Sequence, residues 1–402
     1  MKIKIKQIIK DHFEGFWEKN QKKYPKEMRN DIYKEVKKMQ GCGNEKDGFR
    51  AYICKLCGEI KKIGLTCKSK LCNKCGRKRL EEWSRKQARN LLKVPHRHCV
   101  FTIPEEFRGY FFWNRNGLKD LQDMVNETLS EYANGVNKLN REEYMKKKRR
   151  KQGGLLWQIG ILTVIHTFGR DMGFNPHIHV LLAEVKIKGN EAREMNYINY
   201  RYLRKIWQYK LINYMVDKKP KKKEKYLKMF KEYSEGFYIN ARTRIRGVKG
   251  AIKYIGRYLA RPAIAEYRIT NYDGTKVKFW YNDHKTEEIV EKELTVEEFI
   301  GKLLMHVAPK NFKMAVSYGF YSGRVKLRVR KVFGVIQYIK SGLKAKYSML
   351  KKNWENIKEK ISYQEFMINS FGDDPQRCRC GGEMELYQIW HRKYGEIYNL
   401  LK

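Results

Sequence analysis

The chain has 402 residues and a formal net charge of +43, because 87 Lys and Arg residues outnumber 44 Asp and Glu residues. This length gives room for two or three domains with a substantial core, and the positive charge, with aromatic residues interleaved, indicates nucleic acid rather than a membrane surface as the partner. No apolar run approaches the roughly 20 residues of a membrane-spanning helix, and the N-terminus lacks the features of a signal peptide, so we expect a soluble, cytoplasmic protein.

Residues 1–40 carry apolar side chains at near-helical spacing, beginning with Ile5, Ile8 and Ile9. This pattern predicts an N-terminal segment of one or two amphipathic helices. We prefer a packing role for this segment to a direct contact with DNA.

Residues 41–90 are predicted to form a Cys-rich zinc-binding module, because residues 41–80 are rich in Cys, Gly and Lys and lose the helical periodicity. The pairs Cys54-x2-Cys57 and Cys72-x2-Cys75 have the spacing of a four-thiolate zinc ribbon. In a reducing compartment such thiols bind metal rather than form disulfides. Cys42 and Cys67 lie in the same block, so the six thiols either share two zinc ions or include two spare ones.

The zinc module is also basic, which predicts contact with DNA. Arg77 and Lys78 lie two and three residues after Cys75, the last of its cysteines, and are candidate DNA-binding residues. The alternative is a ribbon that only braces the fold or contacts a second copy of the chain.

Residues 91–325 are predicted to form the core domain, and two histidine-bearing β segments stand out in it. Residues 155–168 and 175–184 are separated by Gly and Pro turn signals and predict a hairpin. His177 and His179 would share one face of the second arm, with Cα atoms about 6.6 Å apart, and His166 on the first arm can fold back beside them. Three such imidazoles predict a divalent metal site; the alternative is partly buried histidines with ordinary hydrogen bonds.

A predicted helix downstream, KYIGRYLARP, carries Tyr254 and Tyr258 at positions i and i+4, so both side chains project from one face. Three basic residues on this helix suit phosphate oxygens, namely Lys253, Arg257 and Arg261. The alternative is an aromatic pair that packs the helix onto a sheet.

Together the histidines and tyrosines describe one reaction. A metal ion polarises a scissile phosphate, and a tyrosine attacks it to give a 5′-phosphotyrosine and a 3′-hydroxyl. Two tyrosines allow a second strand transfer before the first strand is released. The chain has no phosphate-binding G-x-x-x-x-G-K-[ST] loop, so we expect another protein to supply any step that needs ATP.

The last part of the chain, residues 326–402, has a mostly helical pattern followed by Cys378-x-Cys380. These two thiols, even with His391, do not complete a four-ligand zinc site. The sequence therefore leaves undecided whether this tail binds zinc. Cys99, in a short apolar β segment, is interpreted as a buried core residue.

The chain resembles the HUH endonucleases, which carry two histidines separated by one bulky apolar residue and one or two tyrosines on a helix. The similarity is closest to the paired-tyrosine rolling-circle transposases of bacterial insertion sequences, which are relatives of the Helitrons. The matching segments run in one order from about residue 42 to residue 395: CKLCG, CKSKLCNKCGRKR, VIHTFGRD, NPHIHVLL, YIGRYLARPAI, HVAPKNFKMAVSYGFYS and GGEMELYQIWHRKYG.

The resemblance implies an α+β fold with an HUH core, an antiparallel sheet flanked by helices, preceded by a zinc module and followed by a helical C-terminal region. It implies that His177 and His179 bind Mg²⁺ or Mn²⁺, although three imidazoles with His166 would by affinity alone favour Zn²⁺. It further implies that Tyr254 and Tyr258 are the nucleophiles.

By the same resemblance we expect a transposase that recognises hairpins or short sequences at the single-stranded ends of an insertion sequence, with a host helicase as a further partner. One alternative is a plasmid replication initiator or conjugative relaxase with the same chemistry. The other is a zinc-containing DNA-binding regulator without catalysis, in which the histidines and tyrosines are core residues.

Overall fold

A computed structural model describes residues 3–323, 364, 368 and 374–400, except 89, 138, 150–155, 190, 196, 246, 260–261 and 284–285. The described strands form three sheets in which every pair is antiparallel. Helices flank these sheets, which confirms the predicted α+β class. None of the described helices combines the length and the apolar character needed to cross a bilayer.

The central sheet has the strand order β11-β4-β5-β3-β7, with β6 paired to β5. Its strands are β3 (His96–Thr102), β4 (Gln158–Phe168), β5 (Phe174–Lys188), β6 (Glu191–Glu194), β7 (Ile239–Ile245) and β11 (Ala315–Gly319). Strands β4 and β5 form the predicted hairpin.

Both faces of the central sheet are covered by helices. One face packs on α4 (Glu105–Trp113), α5 (Gly117–Ala133) and α7 (Tyr200–Lys218). Helix α8 (Lys223–Glu232) contacts α7, and α6 (Arg141–Arg149) contacts α5 through Lys148 and Glu127. The other face packs on α9 (Val248–Leu259), which in turn contacts α3 (Asn73–Ala88). Burial on both faces explains why β4 and β5 are almost continuously apolar in sequence.

The N-terminal helices pack on a second, smaller sheet. Helices α1 (Ile5–Asn20) and α2 (Arg29–Gln40) share a core with α10 (Val296–Leu304) and with the sheet β10-β9-β8, formed by β8 (Ile269–Tyr272), β9 (Lys276–Asn282) and β10 (Ile289–Thr295). The apolar side chains at helical spacing in this segment are buried there, with Ile8 and Ile9 fully inaccessible to solvent. The N-terminal helices thus pack inside the protein, as the pattern predicts.

The third sheet has the strand order β13-β12-β1-β2. It pairs a hairpin near the N-terminus with a hairpin near residue 390. It consists of β1 (Gly48–Cys54), β2 (Ile60–Gly64), β12 (Met384–His391) and β13 (Gly395–Asn399). The predicted helical C-terminal region is wrong for residues 384–399, because the edge of β1 offers backbone partners to a segment rich in aromatic and branched residues. Residues 374–383 of that region form turns, and residues 326–373, except 364 and 368, lie outside the described residues.

Candidate active site

Three histidines meet on one face of the β4-β5 hairpin. His166 lies opposite His177 in the register, and His179 follows two residues later on the same face. One ligand nitrogen from each imidazole lies within 4.8 Å of those of the other two. His166 and His179 are 2% and 6% exposed, so the cluster is largely shielded from water. The structure therefore brings together the three histidines that the sequence singles out.

Hydrogen bonds orient the imidazoles of this cluster. Nδ1 of His177 lies 2.8 Å from the carbonyl oxygen of Asn175, which can only accept, so Nδ1 carries the proton and Nε2 the lone pair. Nε2 of His166 contacts the carbonyl oxygen of Tyr258, which places the lone pair of His166 on Nδ1. Partners of this kind fix the tautomer of metal-binding histidines.

His98 orients the third imidazole, and sequence reasoning missed it. Its Nε2 lies 3.0 Å from Nδ1 of His179, and it shares the face of the histidine cluster because Val100, two residues later on β3, lies opposite His179. The side chain is 6% exposed. The signal in the sequence is a histidine inside an apolar β segment, but the role depends on which strand lies beside β3.

His96, the neighbour of His98 on the same face, has a structural role instead. Its Nε2 lies 2.7 Å from the hydroxyl of Tyr321, and burial lowers the pKa of His96 to about 4. Both rings are buried in the core between the sheet and α9. The histidine therefore stays neutral at physiological pH, and Tyr321, like Tyr318 with its hydroxyl on Asp123, takes part in packing.

The two tyrosines lie directly over the histidines, on the predicted helix α9. The ring of Tyr258 stacks on His179, with centroids 3.8 Å apart, and the ring of Tyr254 stands edge-on to His98 at 4.8 Å. The hydroxyl of Tyr258 donates to the hydroxyl of Tyr254 over 3.3 Å. Two phenols with adjacent oxygens thus lie against a cluster that can hold a divalent ion.

The predicted DNA-binding residues are described only in part. Residue 261 and the side chains of Arg77, Lys253 and Arg257 lie outside the described residues. Lys78 is half-buried on α3, the helix of the cysteine-rich module that contacts α9. The cysteine-rich module and the tyrosine helix are therefore direct neighbours.

The cysteines fall into two clusters, and neither is the predicted ribbon of Cys54, Cys57, Cys72 and Cys75. Cys72 and Cys75, at the start of α3, meet Cys42 and Cys67, with sulfur–sulfur distances of 3.4 to 3.7 Å. The ribbon prediction is wrong because the β1-β2 hairpin carries its other pair away from the start of α3.

The other pair, Cys54 and Cys57, faces the tail residues Cys378 and Cys380. His391 lies in β12 and belongs to neither cluster. Cys99 is fully buried in the core, as predicted. Each cluster offers four sulfur atoms, the ligand set of a closed structural zinc site.

Comparisons with known proteins agree with this layout. A family model described as "Transposase zinc-binding domain" matches residues 8–103, the range that holds seven of the nine cysteines and His98. A second model, described as "Putative transposase", matches residues 160–328, which include the three histidines and both tyrosines of the site.

Two curated relatives cover most of the chain. The "Transposase for insertion sequence element IS801" of Pseudomonas savastanoi pv. phaseolicola is 25% identical over 306 residues, which are 72% of this chain and 70% of the relative. The "Putative transposase y4qJ" of Sinorhizobium fredii (strain NBRC 101917 / NGR234) is 22% identical over 301 residues, 69% of this chain and 71% of the relative. No solved structure matches the chain.

Proposed function

We propose that the chain, which is similar to transposases over residues 8–103 and 160–328, nicks single-stranded DNA at the ends of an insertion sequence and transfers the strand by a rolling-circle mechanism. The observation that carries this proposal is the pair of phenols, 3.3 Å apart, lying over three converging imidazoles. A packing role alone would not require two adjacent hydroxyls beside a metal-binding set.

In this proposal His166, His177 and His179 hold Mg²⁺ or Mn²⁺. The donor set fits, since the ligand nitrogens lie within 4.8 Å of one another and the hydrogen bonds of His166 and His177 place a lone pair on a second nitrogen of each ring. The ion, when bound, would polarise the scissile phosphate and neutralise the charge that develops on its oxygens. The proposal requires that Nδ1 of His179 donates to Nε2 of His98, so that Nε2 of His179 faces the ion.

The phenol of Tyr254 or Tyr258 loses its proton, and its oxygen attacks the phosphorus to form the phosphotyrosine bond. The bond from phosphorus to the 3′ oxygen breaks, and that oxygen leaves as a 3′-hydroxyl after taking up a proton. The 5′ end stays attached to the protein, so the energy of the broken link is kept for rejoining. The second tyrosine can then take a second strand while the first is still bound.

The charge of the protein supports a DNA path along α3 and α9. The net charge of +43 attracts the phosphate backbone, and Lys78 lies on the helix that contacts the tyrosine helix. We propose Arg77, Lys253, Arg257 and Arg261 as further phosphate contacts. A host helicase would separate the strands.

The proposal is tested by incubating the protein with labelled single-stranded DNA that carries the ends of the insertion sequence, in Mn²⁺ or in EDTA. We expect an ion-dependent adduct that resists denaturant and that mass spectrometry locates on Tyr254 or Tyr258. Tight binding without an adduct on any end would favour a regulator that binds DNA without catalysis.

Replacing His98 with Ala should raise the Mn²⁺ concentration needed for half-maximal adduct formation by about 10- to 100-fold, because His179 loses its orienting partner. At saturating Mn²⁺ most of the rate should return. His98→Gln, whose side-chain oxygen accepts a hydrogen bond, should restore part of the ion affinity. A rate that falls equally at every Mn²⁺ concentration would contradict this positioning role and would indicate that the ring only packs against the tyrosines.

A further inference from the structure

The second cysteine cluster unites thiols from the two ends of the described chain. Cys54 and Cys380 are 326 residues apart in sequence, and their sulfurs lie 3.6 Å apart. The sulfurs of Cys57 and Cys378 lie 3.7 Å apart. A disulfide would require about 2.05 Å, whereas two thiolates on one tetrahedral zinc ion, each about 2.3 Å from the metal, are about 3.8 Å apart. The spacing is that of metal ligands.

We propose that Cys54, Cys57, Cys378 and Cys380 form a second structural zinc site that fastens the C-terminal tail to the N-terminal module. Two of its ligands lie outside residues 8–103, the range matched by the zinc-binding domain. That domain therefore completes its second site only with a segment from the other end of the chain.

The strand register aligns the two halves of this site. β1 and β12 pair from Gly48 with His391 to Cys54 with Met384, so the ladder ends at a ligand. The next backbone hydrogen bond, from Lys55 N to Glu383 O at 3.1 Å, continues the pairing into the turn that holds Cys57. The pairing of β1 with β12 thus places the segment that carries Cys54 and Cys57 opposite the segment that carries Cys378 and Cys380.

A glycine turn explains how Cys378 and Cys380 act as a pair although only one residue separates them. Gly381 has a φ of +88°, a conformation that glycine adopts without strain. Gly382 lies against the cluster, and a Cβ atom there would come within 2.8 Å of the Cys54 sulfur. The amide of Cys378 donates to the carbonyl of Gly382 over 3.0 Å, which closes the turn. The tight turn brings both sulfurs to the same side.

Apolar packing around the site is sparse, so a metal has a structural task there. Among the described residues, the hydrophobic cluster in this sheet has four buried members, Tyr52, Cys54, Cys378 and Met384, against which Ile63 and Leu386 pack. A core of this size is too small to hold the β12-β13 hairpin against β1 without a disulfide or a structural metal. We therefore expect removal of the metal to detach β12 from β1, while the central sheet with its own large core stays folded.

The test is a Co²⁺ titration of the metal-stripped, reduced 402-residue protein, read by the thiolate-to-cobalt charge-transfer absorbance. The histidine site gives no such band, so the titration counts only thiolate sites. We expect saturation at two equivalents in the unchanged protein. The paired variant Cys378→Ser/Cys380→Ser should saturate at one equivalent, and so should Cys42→Ser/Cys72→Ser, whereas Cys99→Ala should keep two.

Two further readouts separate loss of the site from loss of folding. Cys380→His keeps a zinc ligand, so it should still bind two equivalents, with a weaker charge-transfer band at the second. Amide hydrogen exchange should show residues 384–391 protected in the zinc-loaded protein and exposed after chelation. Saturation of the unchanged protein at one equivalent, or two equivalents in the Cys378→Ser/Cys380→Ser variant, would overturn the proposal.

Discussion

Replacing both Tyr254 and Tyr258 with Phe should abolish covalent attachment to DNA, lowering the rate of adduct formation on the order of 10⁴-fold or more, as loss of a catalytic nucleophile does. Phe keeps the ring that stacks on His179 at 3.8 Å and removes only the hydroxyl. The affinity for single-stranded DNA, the zinc content and the thermal unfolding temperature should therefore stay close to those of the unchanged protein. The measurement is the yield of denaturant-resistant adduct over time.

The single variants Tyr254→Phe and Tyr258→Phe test what each phenol contributes. The hydroxyls are 3.3 Å apart, so either can reach a phosphate at the histidine cluster, and each single variant should form one adduct but fail to hold two strands at once. Tyr267→Phe is a suitable control, because this tyrosine is 75% exposed and its ring packs on Trp280. An adduct of normal yield in the double variant would place the nucleophile elsewhere.

Replacing His177 and His179 together with Ala should remove the divalent-ion site and lower Mn²⁺-dependent nicking by about 10²- to 10⁴-fold, the factor that several kcal/mol of charge stabilisation represents. Binding of single-stranded DNA should persist, because it depends on the basic surface. Mn²⁺ binding is measured directly by electron paramagnetic resonance without DNA, and nicking with a labelled strand.

His12→Ala provides the matched control for the histidine pair. His12 is only partly buried, and its ring contacts the hydroxyl of Tyr272 over 2.8 Å in a different part of the fold. This variant should bind Mn²⁺ and nick DNA normally. Full Mn²⁺ affinity in the variant without His177 and His179 would show that the cluster is a set of core histidines rather than an ion site.

The parts of the site that depend on local periodicity were predictable from the sequence. Because side chains alternate between the faces of a strand, His177 and His179 are predicted to share one face. Turn residues between the two β segments predict His166 on the other arm of a hairpin. The i, i+4 spacing predicts that Tyr254 and Tyr258 lie together on a helix. The structure also brings the helix onto the hairpin, which a separate reading of each segment does not predict.

The parts that depend on long-range pairing were not predictable. His98 orients His179 only because β3 lies beside β5, and no local pattern specifies that neighbour. The assignment of cysteines to clusters likewise depends on β1 pairing with β12. The same pairing turns residues 384–391 into a strand, because a sheet edge supplies hydrogen-bond partners that the local pattern does not reveal.

The sheet that contains β1 and β12 cannot be completed until late in synthesis on the ribosome. Residues 48–54 leave the ribosome long before residues 384–391 have been made, and at about 5 to 20 residues per second the wait is roughly 15 to 70 seconds. During this time β1 has an exposed edge and Cys54 and Cys57 lack their partners from the tail. A chain that stopped between residues 323 and 378 would therefore contain the three histidines and both tyrosines but would lack Cys378, Cys380 and the strand that pairs with β1.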